Sequence, residues 1–360
     1  MAIVVFNPRQ PLNQLNQALH QKVVKFGFLG GSITESRVPH NWPDFFISRL
    51  AQAYKNLKIF LENAALGATG SELGLIRVEE DVIRKNPDCV FLEYAVNDWW
   101  TPTEDRLAAM EGIIRRLKTA QIHDIVMVYT FSRDMIPYLD QGYLPPTVTD
   151  YEKLAQHYQL NSVFVGLDAY QKYKQGAFRF ESWLPDGLHP QDFGSQLYGD
   201  CVFELIQKAL VLEPRAEQKM PKPLQRYHWE QLKVMPLHEV PFHFPFILKR
   251  HAIQVFSPYV LSCRVPNATL TIPFLGTGLL MTFDFGKQSG EIMYSVDQGE
   301  WKTTKRDRPN WVGPSGWLRT MKIVDHLPNG QHEIEIKTII AEAGEPWLSN
   351  FDVVFIAQIQ

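Results

Sequence analysis

Apolar and polar positions alternate in two different ways along this chain. Up to about residue 212, apolar runs of strand length take turns with stretches in which apolar residues recur every three or four positions. The runs at 23–29, 57–62, 89–95, 124–130 and 162–165 predict strands, and helical periodicity at 42–54, 71–85, 103–120, 150–160 and 191–210 predicts the helices that join them. Strands that are apolar throughout and joined by helices predict a parallel sheet covered on both faces. This is a three-layer α/β/α, flavodoxin-like arrangement, with any ligand site outside the carboxyl ends of the strands.

Residues 213–222 then turn charged and proline-bearing, through Pro214 and Pro221 and on to Pro223, with no periodic apolar face. A domain boundary is expected there, dividing the chain into residues 1–215 and 216–360. Beyond it come short alternating runs at 268–273, 279–285, 291–296, 318–324, 332–337 and 352–359. Turns such as Asp297-Gln298-Gly299 and Pro328-Asn329-Gly330 separate them. A period of two with turns at this spacing predicts a second, all-β sandwich domain, jelly-roll-like in type. The strand-like run at 3–6 fits either domain.

Composition narrows the partners. The 360 residues exceed what one ordinary domain needs, and 45% hydrophobic against 21% charged residues suffices for a packed core. A formal charge of -3 gives no electrostatic case for nucleic acid or an anionic membrane, so a neutral small molecule is the expected partner. Cys89, Cys201 and Cys263 are too scattered for a disulfide framework or a zinc site and read as core thiols. No apolar run reaches about 18 residues, and the N-terminus lacks a basic start, a long apolar segment and a cleavage site. No membrane span and a cytoplasmic, reducing location are therefore expected.

The chemistry begins where the run Val24-Lys25-Phe26-Gly27-Phe28-Leu29 breaks into Gly30-Gly31-Ser32, a pattern in which a buried strand delivers a serine at its end. A hydroxyl nucleophile needs a base for its proton and donors for the oxyanion that follows. In Leu184-Pro185-Asp186-Gly187-Leu188-His189-Pro190 a carboxylate stands three residues before a histidine, across a glycine that permits a tight turn. Asp186 is the candidate orienter and His189 the candidate base. A second apolar strand runs into Asn97-Asp98-Trp99, where the Asn97 amide is a candidate oxyanion donor and Asp98 reads as a turn or helix cap. The phosphate-loop reading of Gly30-Gly31-Ser32 lacks the G-K-[ST] or G-x-x-G continuation it needs.

Taken in order, these blocks resemble the SGNH or GDSL hydrolase family. Ser32 comes first, then Gly67 within Asn63-Ala64-Ala65-Leu66-Gly67-Ala68-Thr69-Gly70-Ser71, then Asn97, then His189. The resemblance covers the first predicted domain and says nothing of the second. It implies ester hydrolysis by a Ser32-His189-Asp186 triad without metal or organic cofactor. The implied oxyanion donors are the Ser32 N–H, the N–H of Gly67 or Ala68, and the Asn97 side chain. Two positions depart from the family pattern: Gly31 stands where Gly-Asp-Ser has its aspartate, and Ala95 stands where a glycine usually precedes the asparagine by two.

Members of the family act on acetylated sugars, small acyl esters, lipids and thioesters. A sandwich partner and the adjacent Trp99 and Trp100, one of which would wall the substrate pocket, favour a short-chain, acetyl-type ester on a carbohydrate. Two other readings stand beside it: acyl transfer to a sugar hydroxyl, and a non-catalytic carbohydrate-binding protein. Trp301, Trp311, Trp317 and Trp347 read first as sandwich filling and second as sugar-stacking surfaces. Arg133 and Asp134 lie after the fourth strand, in a loop within reach of the site. An exposed sandwich face would allow a homo-oligomer.

Overall fold

The computed structural model describes residues 3–35, 41–213, 219–250, 259–286, 289–305, 309–312, 317–340 and 351–360. They form two compact units, Met1–Glu230 and Gln231–Gln360.

The first unit holds strands β1 (Phe6–Asn7), β2 (Val23–Gly30), β3 (Lys58–Asn63), β4 (Cys89–Glu93), β5 (Ile125–Val128) and β6 (Asn161–Val163). Its helices are α1 (Asn13–Gln21), α2 (Trp42–Ala53), α3 (Ser71–Asp81), α4 (Thr103–Thr119), α5 (Ile136–Asp140), α6 (Pro146–His157), α7 (Val165–Lys174), α8 (Phe180–Trp183) and α9 (Asp192–Leu210). The strands lie in the order β1-β6-β5-β4-β2-β3. Strands β2 to β6 are parallel, and the N-terminal run that fitted either domain pairs antiparallel with β6. Helices α2 and α7 pack on α9, while α3 and α6 pack on α4, which gives the expected three layers. Strand order reverses between β2 and β4, the point at which a doubly wound sheet opens a crevice at its carboxyl edge.

Packing explains why the strands read as unbroken apolar runs. Every residue of β4 and β5 is buried. Phe28 stacks on Phe91 with centroids 4.8 Å apart, Phe46 and Trp42 close edge-on around the pair, and Phe26 tilts against both rings. Each fully buried phenylalanine of this cluster contributes about 2 kcal/mol of apolar burial. The cluster also fixes α2, whose first residue, Trp42, reaches the turn that follows β2.

The unit ends at 230, later than the 215/216 boundary expected from the proline-bearing stretch. The residues between are strapped to α4 by buried polar side chains. Glu111, fully buried, accepts from the backbone N–H groups of Leu224 and Gln225 at 2.5 and 2.8 Å. Arg115 donates to the Pro221 carbonyl at 2.9 Å and pairs with Glu230 at 2.5 Å, and Trp229 is buried. A segment without apolar periodicity is thus held by hydrogen bonds, which a hydrophobic pattern does not register. Pro214 lies outside the described residues.

The second unit is antiparallel throughout. One sheet orders β10 (Thr269–Gly276), β15 (Gly330–Ile339), β12 (Glu291–Val296) and β13 (Lys302–Thr303). The other orders β14 (Trp317–Val324), β11 (Gly278–Phe285), β16 (Phe351–Ile359), β9 (Tyr259–Cys263) and β8 (Ile247–Arg250), with β7 (Lys233–Met235) also on β16. In β10 burial alternates residue by residue, turning Leu270, Ile272 and Phe274 inward. They meet Met281, Phe283, Val353 and Ile356 of the facing sheet in one core, as a sandwich requires. That core is aliphatic and phenylalanine-rich. Trp301 and Trp311 are exposed instead of filling it, Trp317 packs edge-on to Trp311, and Trp347 lies outside the described residues.

Cys89, Cys201 and Cys263 are buried free thiols whose pKa values burial pushes up, in keeping with a core role. Among the described residues no helix is long and apolar enough to cross a membrane. The strap carries a test. Glu111→Ala leaves two backbone donors and the Tyr158 hydroxyl without their buried acceptor and lowers the unfolding free energy of the first unit by about 3 kcal/mol in urea titration.

Candidate active site

Ser32 stands two residues past β2 in a turn closed by hydrogen bonds from the N–H groups of Thr34 and Glu35 to the Gly31 carbonyl, at 3.1 and 3.0 Å. Its Oγ lies 2.8 Å from His189 Nε2. His189 Nδ1 lies 2.7 Å from Asp186 Oδ2, while Asp186 Oδ1 accepts from the backbone N–H groups of Leu188 and His189 at 2.9 and 2.7 Å. Hydroxyl, imidazole and carboxylate are therefore joined in series, with both ring nitrogens engaged. Gly187, between Asp186 and His189, adopts φ +85, a left-handed conformation that glycine takes without steric cost. Burial pushes the Asp186 carboxyl up, but the His189 ring and the two backbone N–H groups outweigh it and hold it below its ordinary value.

The second and third blocks arrive at the same point. Gly67 is buried with its Cα against Ser32, since a Cβ built there would lie 3.2 Å from Ser32 Cβ. Ala68 follows in a left-handed conformation at φ +52. Asn97 begins the short 3-10 turn Asn97–Trp100 after β4, and its amide lies against Gly31. A Cβ at Gly31 would sit 1.9 Å from Asn97 Oδ1, which gives a steric reason for glycine in place of aspartate in this block. Ala95 is fully buried.

Asp98 is buried and accepts from the Ser71 backbone N–H, at 3.0 Å, and from the Tyr151 hydroxyl. It holds the start of α3, a contact made 27 residues back along the chain and not the local turn or helix cap that the sequence suggested. Trp99 and Trp100 diverge: Trp99 is half-buried edge-on to Tyr138 with centroids 5.9 Å apart, and Trp100 is 83% exposed. Arg133 is exposed, lies over the Phe180 ring at 4.8 Å and packs against Gly187, whereas nothing comparable involves Asp134.

Sequence reasoning passed over the residues that hold the serine turn. Glu93, the last residue of β4, is fully buried. One carboxylate oxygen accepts from Thr34 Oγ1 at 2.9 Å, the other from Thr130 Oγ1 at 2.7 Å, and the Gly31 N–H also donates to the group. Trp42 Nε1 donates to Thr34 Oγ1 at 2.9 Å, and Asn63 Nδ2 donates to the Thr34 carbonyl at 2.7 Å. A glutamate inside an otherwise apolar strand was the available signal. Burial pushes the Glu93 carboxyl from 4.5 to about 7, against the lowering effect of its three donors.

A parallel sheet bearing hydroxyl, imidazole and carboxylate in series at its switch point has the architecture of an ester hydrolase. Residues 28–197 match the model of the GDSL-like lipase/acylhydrolase family, a likeness that lies wholly within the first unit and supports a carboxylic ester hydrolase. Two solved structures, both of a two-domain esterase (CEX) active on acetylated mannans and one co-crystallized with mannopentaose, share 20% identity with this chain. Both cover 98% of this chain, and the match takes in 96% and 97% of theirs, with TM-scores of 0.83 and 0.84. This likeness is one of fold and extends over both units. A comparison with curated proteins finds no match.

Glu93 makes stability depend on pH with a definite sign. Between about 4.5 and 7 the folded protein keeps a proton on Glu93 that the unfolded chain has lost. Its contribution is therefore fully present below pH 4.5 and lost as pH rises through 7, a change of roughly 3 kcal/mol. Asp124, also pushed by burial to about 7, adds a slope of the same sign. The difference between wild type and Glu93→Gln in denaturation at pH 5 and pH 8 isolates the Glu93 part, and the variant's slope is shallower.

Proposed function

We propose that the chain is a serine esterase that removes short acyl groups, chiefly acetyl, from carbohydrate hydroxyls. Ser32 Oγ attacks the ester carbonyl while His189 takes its proton, and Asp186 holds the imidazole and stabilises the imidazolium. The tetrahedral oxyanion is received by the Ser32 N–H, the N–H of Gly67 or Ala68, and the Asn97 side chain. Collapse returns the proton to the leaving sugar oxygen. Water activated by His189 then attacks the acyl-serine and releases the acid.

One observation carries this reading: the unbroken series from Ser32 Oγ through His189 to Asp186, at 2.8 and 2.7 Å. The carbohydrate half rests on the exposed Trp100 three residues past Asn97, on the exposed Trp301 and Trp311 of the sandwich, and on the activity toward acetylated mannans of a protein of the same fold. An acetylated oligosaccharide, with a cytoplasmic site of action, fits the three reduced thiols.

The test is hydrolysis of p-nitrophenyl acetate against longer acyl esters and acetylated oligosaccharides. Wild-type turnover falls as the acyl chain lengthens, and Ser32→Ala lowers kcat by roughly 10⁶. Asn97→Ala lowers it by roughly 10² to 10³. Gly31→Ala, which pushes the Asn97 amide aside, loses roughly 10² in kcat while unfolding within about 1 kcal/mol of wild type. Equal rates for wild type and Ser32→Ala would refute the nucleophile assignment.

A further inference from the structure

Three donors converge on Glu93, and their chemistry restricts what that group must be. Thr34 Oγ1 already accepts from Trp42 Nε1, so its own proton is directed to Glu93. The Thr130 hydroxyl and the Gly31 N–H bring two more hydrogens. An ionised carboxylate, an acceptor with two oxygens and no hydrogen, matches all three. A protonated acid or an amide carries hydrogen of its own, and a neighbouring hydroxyl, such as that of Thr130, must then turn from donor to acceptor.

The placement of these bonds connects them to the reaction. Gly31 directly precedes Ser32 and Thr34 follows it by two, so Glu93 grips the serine turn on both sides. Glu93 also ends the strand that carries Asn97 four residues later, and Thr130 follows β5. We propose that the Glu93 carboxylate is a positioning residue that holds Ser32 in line with His189 and Asn97, and that turnover is fastest when it is ionised. The inference rests on the esterase reading above and deepens it.

A buried carboxylate is a costly way to fill a strand end if filling is all it does. Burial brings its ionisation close to neutrality, within the range in which an enzyme works. Among the described residues, Asp98 raises Glu93, and two phenols feel its charge, Tyr94 just past β4 and Tyr198 of α9; burial drives the pKa values of both further up, so both stay neutral. His189 and Asp186 are common to wild type and Glu93 variants and drop out of a ratio of their rates.

The experiment measures kcat and KM for p-nitrophenyl acetate from pH 5.5 to pH 8.5, as about seven points, for the full chain and for Glu93→Gln, Thr130→Val and Ser32→Ala. A fluorophosphonate probe reports the fraction of reactive serine. Glu93→Gln is expected to lower kcat roughly ten- to hundred-fold at the alkaline end with KM little changed, as a nucleophile moved slightly out of line does. The ratio of wild-type to variant kcat shrinks toward the acid end, where the wild-type group is itself neutral. Thr130→Val removes one donor that favours the ionised form, so it moves the midpoint of the wild-type pH profile upward.

A ratio that does not vary with pH, or wild-type kcat in Glu93→Gln at the alkaline end, overturns the proposal. If Glu93→Gln does not fold, Thr130→Val decides alone: an unmoved midpoint overturns it and an upward shift supports it. Ser32→Ala separates the two levels of inference. If that variant is inactive and Glu93→Gln is unaffected, only the positioning role falls; if Ser32→Ala turns over like wild type, the esterase reading falls and the positioning role with it.

Discussion

The pairing of β2 with β4 is the interaction on which the site depends. Five parallel register pairs, from Phe26 with Cys89 to Gly30 with Glu93, end both strands at the same edge. The turn bearing Ser32 and the turn bearing Asn97 therefore begin side by side. Strand order reverses here, the point at which a doubly wound sheet opens a crevice at its carboxyl edge. The aromatic cluster beneath, with Phe28 stacked on Phe91, locks the same two strands from one face, so hydrophobic burial and catalytic geometry are set by a single pair of neighbours.

Polar groups placed inside this frame act as ties. Glu93 joins the ends of β2, β4 and β5, Asn63 brings in β3, and Asp98 joins the Asn97 turn to the start of α3. Glu93 and Asp98 are buried acceptors and Asn63 a partly buried amide, with partners supplied by backbone or hydroxyl groups, the condition under which a buried polar side chain adds specificity. The Asp186-His189 turn differs in kind. It is exposed, and its order comes from within: Asp186 binds the backbone of Leu188 and His189, so the carboxylate and the imidazole form one local unit. Packing of Arg133 against Gly187 and over Phe180 steadies that unit from outside.

The second unit follows simpler rules. Alternation along β10 and β15 turns one row of aliphatic side chains inward, and the facing sheet does the same. Its tryptophans break the rule that large aromatics fill cores, since Trp301 and Trp311 face solvent.

The sequence alone determined the local physics. Apolar runs and helical periods placed the five parallel strands and the helices α2, α3, α4, α6 and α9, although only the inner strands are covered on both faces and β3, at the sheet edge, is largely exposed. The Asp-x-x-His spacing defined a turn whose hydrogen bonds are all short-range. Strand ends were less legible: Tyr94 and Ala95 read as strand but lie beyond it, since both are buried in the turn that carries Asn97. The strap to Glu230 shows no apolar period, its anchor being Glu111 on the Leu224 and Gln225 N–H groups. Helix α1 does carry one, in Leu12, Leu15, Ala18 and Leu19, but only over a short helix, which Asp124 ties down at the Leu15 N–H. Only the tertiary structure brought Ser32 to His189 across 157 residues of chain, laid Asn97 on Gly31, and made Glu93 the acceptor for three donors. Those contacts depend on which strands become neighbours, and strand order is decided by the packing of the whole sheet, which no local stretch of sequence encodes.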